Sequence, residues 1–91
     1  MEGFIYLIES TKNNCLYLGS TNNPARRINE HNRGKNKATK NNIPWKCLAI
    51  IKMANLQEAR QAEYYIKKYK EKLSVKKVIK ILNIFFINTD G

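Results

Sequence analysis

The stretch FIYLIESTKNNCLYLG, residues 4–19, predicts a β-hairpin and sets the start of the fold. Apolar, β-branched and aromatic residues fill positions 4–8 and 15–18, and the polar segment 10–14 between them is typical of a turn. Because side chains alternate between the faces of a strand, a turn centred in this segment places Tyr6 opposite Tyr17. A register shift of two residues leaves both phenols on the same face.

A helix with a clear beginning and end is predicted after the hairpin. Asn23 is a favourable N-cap, Pro24 suits the first helical position, and Gly34 suits the C-terminal cap. Arg27 and His31 are four residues apart and are therefore neighbours on one face. Since the helix contains few apolar residues, two interpretations are open. It is either a solvated surface helix or a helix with one face lining a cleft.

The second half of the chain predicts one strand and one more helix. The nearly continuous apolar run at residues 45–51 indicates a third strand in a buried position of the sheet. A helix is predicted to begin near Asn55, because Asn55 and Glu58 are spaced like a capping box. Its apolar residues have helical spacing and are Ala59, Ala62, Ile66 and Tyr69. Residues 1–70 therefore form the predicted core, and residues 71–91 a C-terminal helix or tail that docks on it or extends it.

Glu63 lies on or beside the apolar stripe of this second helix, four residues after Ala59 and three before Ile66. A carboxylate in that position is costly unless it is paired, protonated or bound to a cation. Two interpretations stay open. Glu63 is either a rim residue that reaches water or pairs with Lys67, or a ligand for a cation.

Size and charge limit the possible partners. The chain has 91 residues, 17 Lys plus Arg against 7 Asp plus Glu, and a formal net charge of +10, so one small basic domain is expected. Such an excess favours polyanions, and nucleic acid first, through counterion release. The predicted loop at residues 35–42 reads as a flexible basic connector, and its surroundings have a phosphate-binding composition. The predicted nucleic-acid contacts are Arg26, Arg33, Lys35, Lys37 and Lys40.

The cysteines and the N-terminus indicate the compartment. Cys15 and Cys47 are too few for a disulfide scaffold, and each sits in an apolar run where a thiol is expected to pack as a small hydrophobe. The sequence predicts neither a secretion signal nor a membrane-spanning segment. The expectation is a reduced, cytoplasmic compartment, no membrane partner, and a monomer or weak dimer.

The chain resembles the GIY-YIG nuclease superfamily, and most of all its small single-domain bacterial members, which are excinuclease-like. The resemblance rests on Phe4-Ile5-Tyr6, Tyr17-Leu18-Gly19, the stretch 20–32, residues 44–46 before the third strand, and residues 58–68. It implies an α/β (α+β) fold of order β-β-α-β-α, with a three-stranded antiparallel sheet flanked by helices. Phe4 replaces the family's glycine, Ser20 stands where excision-repair relatives have lysine, and a later asparagine of those relatives has no counterpart.

The resemblance also assigns roles by position. Tyr6 and Tyr17 match the two motif tyrosines, Arg27 the catalytic arginine, and Glu63 the metal-binding glutamate, while His31 sits where relatives have His or Tyr. One of the phenols is expected to act as the general base, with His31 as proton acceptor or relay.

These assignments imply an endonuclease that hydrolyses phosphodiester bonds in DNA with a single Mg²⁺ or Mn²⁺, in repair or recombination. The alternative is a nucleic-acid-binding module of the same fold that has lost catalysis. The charge supports this alternative, as do the missing lysine and asparagine.

Overall fold

A computed structural model describes residues 2–68 of the chain. The elements follow the predicted order and are β1 (Gly3–Ser10), β2 (Leu16–Thr21), α1 (Pro24–Asn32), a short 3₁₀ helix (Lys40–Asn42), β3 (Trp45–Met53) and α2 (Leu56–Lys68). Tyr69 and the predicted tail at residues 71–91 lie outside the described residues. No helix within residues 2–68 is long and apolar enough to cross a membrane.

The three strands form an antiparallel sheet in the order β2-β1-β3. In the hairpin, Tyr6 pairs with Gly19 and Ile8 with Tyr17, so the register is two residues away from a direct Tyr6–Tyr17 pair. The two phenols share a face as predicted, with ring centroids 6.4 Å apart. The prediction holds because a shift of two residues preserves the face of every side chain.

The predicted burial of the third strand was wrong. β1 occupies the centre of the sheet, and β3 pairs only with β1 among the described strands, so most of β3 is exposed or half-buried. Leu48 and Ile50 are 37% and 48% exposed. Only one face of β3 is covered by the core. Ala49 and Ile51 pack on the core, while their neighbours along the strand point outward.

The prediction for the two cysteines was also wrong. Cys15 and Cys47 are both exposed free thiols. Cys15 lies in the turn just before β2, and Cys47 lies on β3 beside a register shift opposite Leu7 and Ile8. Both thiols are accessible to solvent, so they do not pack as core residues.

Two apolar clusters cover the two faces of the sheet. On one face, α2 packs its predicted stripe against the strands, in a cluster of Ile5, Leu7, Leu18, Met53, Ala59, Ala62 and Ile66. On the other face Tyr6, Ile8 and Trp45 form a smaller cluster, joined by Tyr17, Ile28 and Ile43. Each fully buried aliphatic side chain contributes roughly 1.5–3 kcal/mol of transfer free energy. The central strand is therefore buried on both faces, and its even-numbered residues reach the face that carries Tyr17.

Local signals fix both helices. The Asn23 side chain accepts a hydrogen bond from the Arg26 amide at 3.1 Å, Pro24 begins α1, and Gly34 follows the C-cap with φ of 76°. At α2 the Asn55 side chain accepts from the Glu58 amide at 2.8 Å, as predicted for the first half of a capping box. These caps fix where α1 and α2 begin, and hence where Arg27, His31 and Glu63 lie along them.

Candidate active site

The hydroxyl of Tyr6 lies directly against Gly19 on the neighbouring strand. A Cβ atom at Gly19 would overlap the Tyr6 hydroxyl and its ring carbon Cζ. Only glycine therefore lets the Tyr6 ring lie across β2. This contact gives a physical reason for the glycine that ends the second tripeptide.

Tyr6, His31 and Thr39 form a buried chain of hydrogen bonds. The Tyr6 hydroxyl lies 2.8 Å from His31 Nε2, and His31 Nδ1 lies 2.7 Å from Thr39 Oγ1. All three residues are at most 1% exposed. The Trp45 indole N–H donates to the Thr39 carbonyl at 2.9 Å and so fixes the backbone of Thr39. Because α1 buries His31 in this chain of bonds, it is not a fully solvated surface helix.

Sequence reasoning missed Thr39, because it read residues 35–42 as a flexible connector. Instead the segment contains successive turns and the 3₁₀ helix, held by hydrogen bonds such as Lys40 N–H to Asn36 carbonyl at 3.0 Å. A threonine among lysines and asparagines carries no periodic signal that would mark it as buried. Its importance arises only when the segment folds back on α1.

Tyr17 is the more accessible of the two phenols and is held by three rings. Its ring centroid lies 6.4 Å from that of Tyr6, 5.0 Å from that of His31 and 6.4 Å from that of Trp45. Tyr17 is half-buried. The Lys67 ammonium group lies 5.3 Å from the centroid of the Tyr17 ring. Tyr17 is therefore oriented by its neighbours while part of it faces solvent.

Arg27 lies at the edge of this cluster. Its guanidinium donates to Glu30 at 3.1 Å, and its side chain is 34% exposed. Burial raises the pKa of Tyr6 to about 12, and the nearby Tyr17 adds to the rise. The Arg27 guanidinium opposes it, through a hydrogen bond and its charge, while Glu63 raises the Tyr6 pKa slightly. The charges of Arg27 and Glu63 thus both act on the pKa of Tyr6, and its phenol stays protonated at neutral pH.

The Glu63 side chain is held by two hydrogen-bonding partners. Its Oε1 accepts from the Ser20 hydroxyl at 2.5 Å and its Oε2 from the Lys67 ammonium at 2.7 Å, with 23% of the side chain exposed. The predicted pairing with Lys67 is confirmed. Ser20 was not foreseen as a partner, because 43 residues separate it from Glu63.

Glu63 is the residue of this cluster that could hold a divalent ion. Within residues 2–68 no group of three or more His, Cys, Asp or Glu side chains converges. Mg²⁺ commonly uses one or two carboxylates and keeps several waters, so one glutamate beside a hydroxyl is an acceptable donor set. Lys67 would have to give up its ion pair to such an ion.

The chain matches the family model for the GIY-YIG catalytic domain over residues 2–77. The chain belongs to the GIY-YIG family. It is 39% identical over 70 residues to the UPF0213 protein YazA of Bacillus subtilis, an alignment covering 76% of this chain and 70% of that protein. It is 41% identical over 68 residues to a UPF0213 protein of Vibrio campbellii, which covers 69% of this chain and 61% of that one.

Two further similarities concern an endonuclease subunit and a solved structure. The structure-specific endonuclease subunit slx1 of Talaromyces stipitatus is 44% identical over 52 residues, covering 50% of this chain but only 13% of slx1. The solution NMR structure of the UPF0213 protein BH0048 from Bacillus halodurans superposes with a TM-score of 0.50 at 28% identity. That match covers 92% of this chain and 85% of BH0048. The resemblance to a nuclease family and the β-β-α-β-α fold are both confirmed.

Two features distinguish this GIY-YIG domain. Phe4, in place of the family's glycine, is half-buried and pairs with Thr21 and Lys52 without disturbing the ladder. Ser20, which stands where excision-repair relatives have lysine, donates its hydroxyl to Glu63. The residues predicted to contact nucleic acid are all exposed, and they lie on α1 and the segment after it: Arg26, Arg33, Lys35, Lys37 and Lys40.

The buried imidazole of this GIY-YIG domain predicts a loss of stability in mild acid. Burial lowers the pKa of His31, and the charge of Arg27 lowers it further, while Glu30 partly opposes the shift. In the unfolded chain the pKa returns to about 6.5, so the unfolded state binds the proton more tightly. The stabilising contribution is complete above about pH 6.5 and is lost as the pH falls from there toward the folded pKa.

NMR titration of His31, the single histidine of the chain, measures this pKa directly. We expect a value below about 6.5, and a free energy of unfolding in urea that decreases between about pH 7 and pH 5.5. A measured pKa above the ordinary histidine value would contradict the prediction.

Proposed function

We propose that this protein is a divalent-metal-dependent endonuclease that hydrolyses phosphodiester bonds in DNA. One observation carries the proposal. Two phenols, an imidazole and a guanidinium from β1, β2 and α1 lie together around Tyr6, and the charge of the Glu63 carboxylate on α2 also acts on Tyr6. Hydrolysis needs an activated water, stabilisation of charge on the phosphoryl oxygens and help for the leaving oxygen, and these groups match those needs.

Arg27 binds the scissile phosphate. Its guanidinium is permanently charged and presents paired N–H donors that match two phosphoryl oxygens. Glu30 holds it from one side through a hydrogen bond of 3.1 Å. The exposed remainder of its side chain can meet a substrate without a rearrangement of α1.

Tyr17 contacts the attacking water, and the buried Tyr6 packs next to Tyr17. Tyr6 is 1% exposed and has a raised pKa, so it is poorly placed to meet water and to act as a free phenolate. Tyr17 is half-buried at the surface of the same cluster. The Tyr17 oxygen takes the water proton and passes its own phenolic proton to bulk water, while the water oxygen attacks phosphorus and the bond to the leaving oxygen breaks. His31 is engaged at both ring nitrogens, and it packs against Tyr17 and orients it.

Glu63 would hold the metal ion, with Ser20 beside it. A bound Mg²⁺ or Mn²⁺ would supply charge neutralisation and a polarised water for protonation of the leaving oxygen. Ser20 donates to Glu63 Oε1 and, together with Lys67 at Oε2, fixes the orientation of the carboxylate.

Branched or nicked DNA is the proposed substrate, with a role in repair or recombination. The relative in Talaromyces stipitatus is named as a subunit of a structure-specific endonuclease, and its aligned region is homologous to this chain. The exposed basic residues of α1 and the following segment lie on one continuous stretch of chain and contact the phosphate backbone. Contacts of this kind recognise the shape of DNA rather than its sequence.

A second candidate, a binding module without catalysis, is favoured by the occupied carboxylate. Both oxygens of Glu63 accept hydrogen bonds from Ser20 and Lys67. If Lys67 is not displaced by a metal ion, the protein binds nucleic acid without cutting it.

A panel of supercoiled, nicked, branched and single-stranded DNA, incubated with Mg²⁺, with Mn²⁺ and with chelator, separates the two candidates. We expect chelator-sensitive cleavage, strongest on branched substrates, in the wild-type protein. Salt-sensitive binding to every substrate without cleavage in either metal would reject the nuclease and leave the binding module.

A further inference from the structure

Thr39 ends a buried chain of hydrogen bonds that begins at the active-site phenol Tyr6. The distances are 2.8 Å from the Tyr6 hydroxyl to His31 Nε2 and 2.7 Å from His31 Nδ1 to Thr39 Oγ1. Thr39 Oγ1 also lies 3.5 Å from the backbone carbonyl of Asn36. Thr39 and His31 are both 0% exposed, so no solvent molecule competes for these bonds.

The direction of the protons follows from the groups at the two ends. Burial raises the pKa of Tyr6 to about 12, so its hydroxyl keeps its proton and can donate it to His31 Nε2, 2.8 Å away. A neutral imidazole that accepts at Nε2 carries its proton on Nδ1 and donates it to Thr39.

The other end of the chain gives the same direction. The Asn36 carbonyl only accepts, so the Thr39 hydroxyl proton points toward Asn36 and leaves its oxygen free to accept from His31. The Trp45 indole fixes the backbone of Thr39 and keeps the hydroxyl at the imidazole. Both ends are thus consistent with the same tautomer of His31, the one that carries its proton on Nδ1.

We propose that Thr39 is a positioning residue of the active site. Its hydroxyl accepts the Nδ1 proton of His31 and holds the ring in the tautomer whose Nε2 accepts from Tyr6, which fixes the Tyr6 hydroxyl in the cluster. Arg27 lies close enough for its charge to act on Tyr6, and it meets the phosphate at the exposed edge of the same cluster. This role for Thr39 rests on the proposed function, in which Arg27 binds the scissile phosphate.

Thr39→Val removes the hydroxyl and keeps the shape of the side chain, and Thr39→Ser keeps the hydroxyl. Long-range ¹H–¹⁵N NMR of His31, the single histidine, reports which ring nitrogen carries the proton without any need for DNA. We expect the Nδ1-protonated form in the wild type and in Thr39→Ser, and a mixture of tautomers or a charged ring in Thr39→Val. Thr11→Val, which removes an exposed threonine hydroxyl, is the matched control.

Cleavage of branched DNA gives the second readout. A roughly tenfold fall is expected in Thr39→Val, the effect of one lost hydrogen bond, with near-wild-type rates in Thr39→Ser and Thr11→Val. Thr39→Ala replaces Thr39→Val if thermal unfolding shows that the latter does not fold.

An unchanged tautomer in Thr39→Val overturns the proposal, and so does an altered tautomer with a wild-type cleavage rate. If the wild-type protein cuts no DNA, the proposed function fails. The NMR result then decides alone whether Thr39 positions His31.

Discussion

Replacing Glu63 by glutamine is expected to reduce metal-dependent cleavage by about 10³-fold or more and to leave the fold intact. Loss of a metal ion that stabilises transition-state charge removes several kcal/mol, and about 4 kcal/mol corresponds to that factor. Glutamine keeps the shape of the side chain and an oxygen that can accept from Ser20. The ion pair with the half-exposed Lys67 is worth at most about 1 kcal/mol, so stability changes little.

Glu58→Gln is the matched control for this experiment. Glu58 lies on the same helix α2 as Glu63, and its replacement by glutamine removes the same charge. The Glu58 backbone amide is bound at the N-terminal cap, and its side chain is not part of the candidate active site. We expect wild-type cleavage from this variant. Binding of Mn²⁺ followed by electron paramagnetic resonance should be lost in Glu63→Gln and retained in Glu58→Gln. Equal Mn²⁺ binding in both would remove Glu63 from the metal site.

The parts of the site that sequence predicted correctly are those that depend on short-range regularities. Tyr6 and Tyr17 were placed on one face because the period of two survives an error of two in the register. His31 and Arg27 were placed correctly along α1 because Asn23, Pro24 and Gly34 define the ends of the helix. Each of these inferences uses residues within a few positions of one another.

The parts that sequence could not predict depend on contacts between distant segments. The apolar run of β3 says nothing about how many neighbours the strand has, so its edge position was missed. Ser20 reaches Glu63 only because α2 crosses over β2, and Thr39 reaches His31 only because the segment after α1 folds back. The resemblance to a family supplied the roles of Arg27 and Glu63, while neither partner contact was visible in the sequence.

The glycine contacts show how the fold and the site depend on each other. Gly3 lies so close to the start of α2 that a Cβ atom would overlap the Asn55 carbonyl, and Gly19 likewise leaves room for Tyr6. One glycine therefore sets how near the helix carrying Glu63 can approach the sheet, and the other sets the position of the buried phenol. Close packing of backbone, as well as the chemistry of side chains, brings the carboxylate and the phenols together.

Replacing Arg27 by alanine is expected to lower the rate of cleavage at saturating DNA by about 10²–10³-fold, the usual effect of removing a preorganised donor to a developing negative charge. Arg27→Lys keeps the charge but not the paired donors, so an intermediate loss is expected. Arg60→Ala, on the exposed part of α2, is the control. Stability should change little, because the Arg27–Glu30 ion pair is partly exposed.

The role of Arg27 is decided by comparing how much its replacement lowers DNA affinity with how much it lowers the cleavage rate. Loss of one phosphate contact among several weakens DNA binding modestly and reduces the slope of log affinity against log salt by about one. If Arg27 acts mainly in the transition state, single-turnover rates at saturating DNA fall far more than affinity does. A fall in cleavage that disappears when the DNA concentration is raised would mean that Arg27 only helps to hold the substrate. Catalysis would then rest on the metal ion, Tyr17 and the other groups of the cluster.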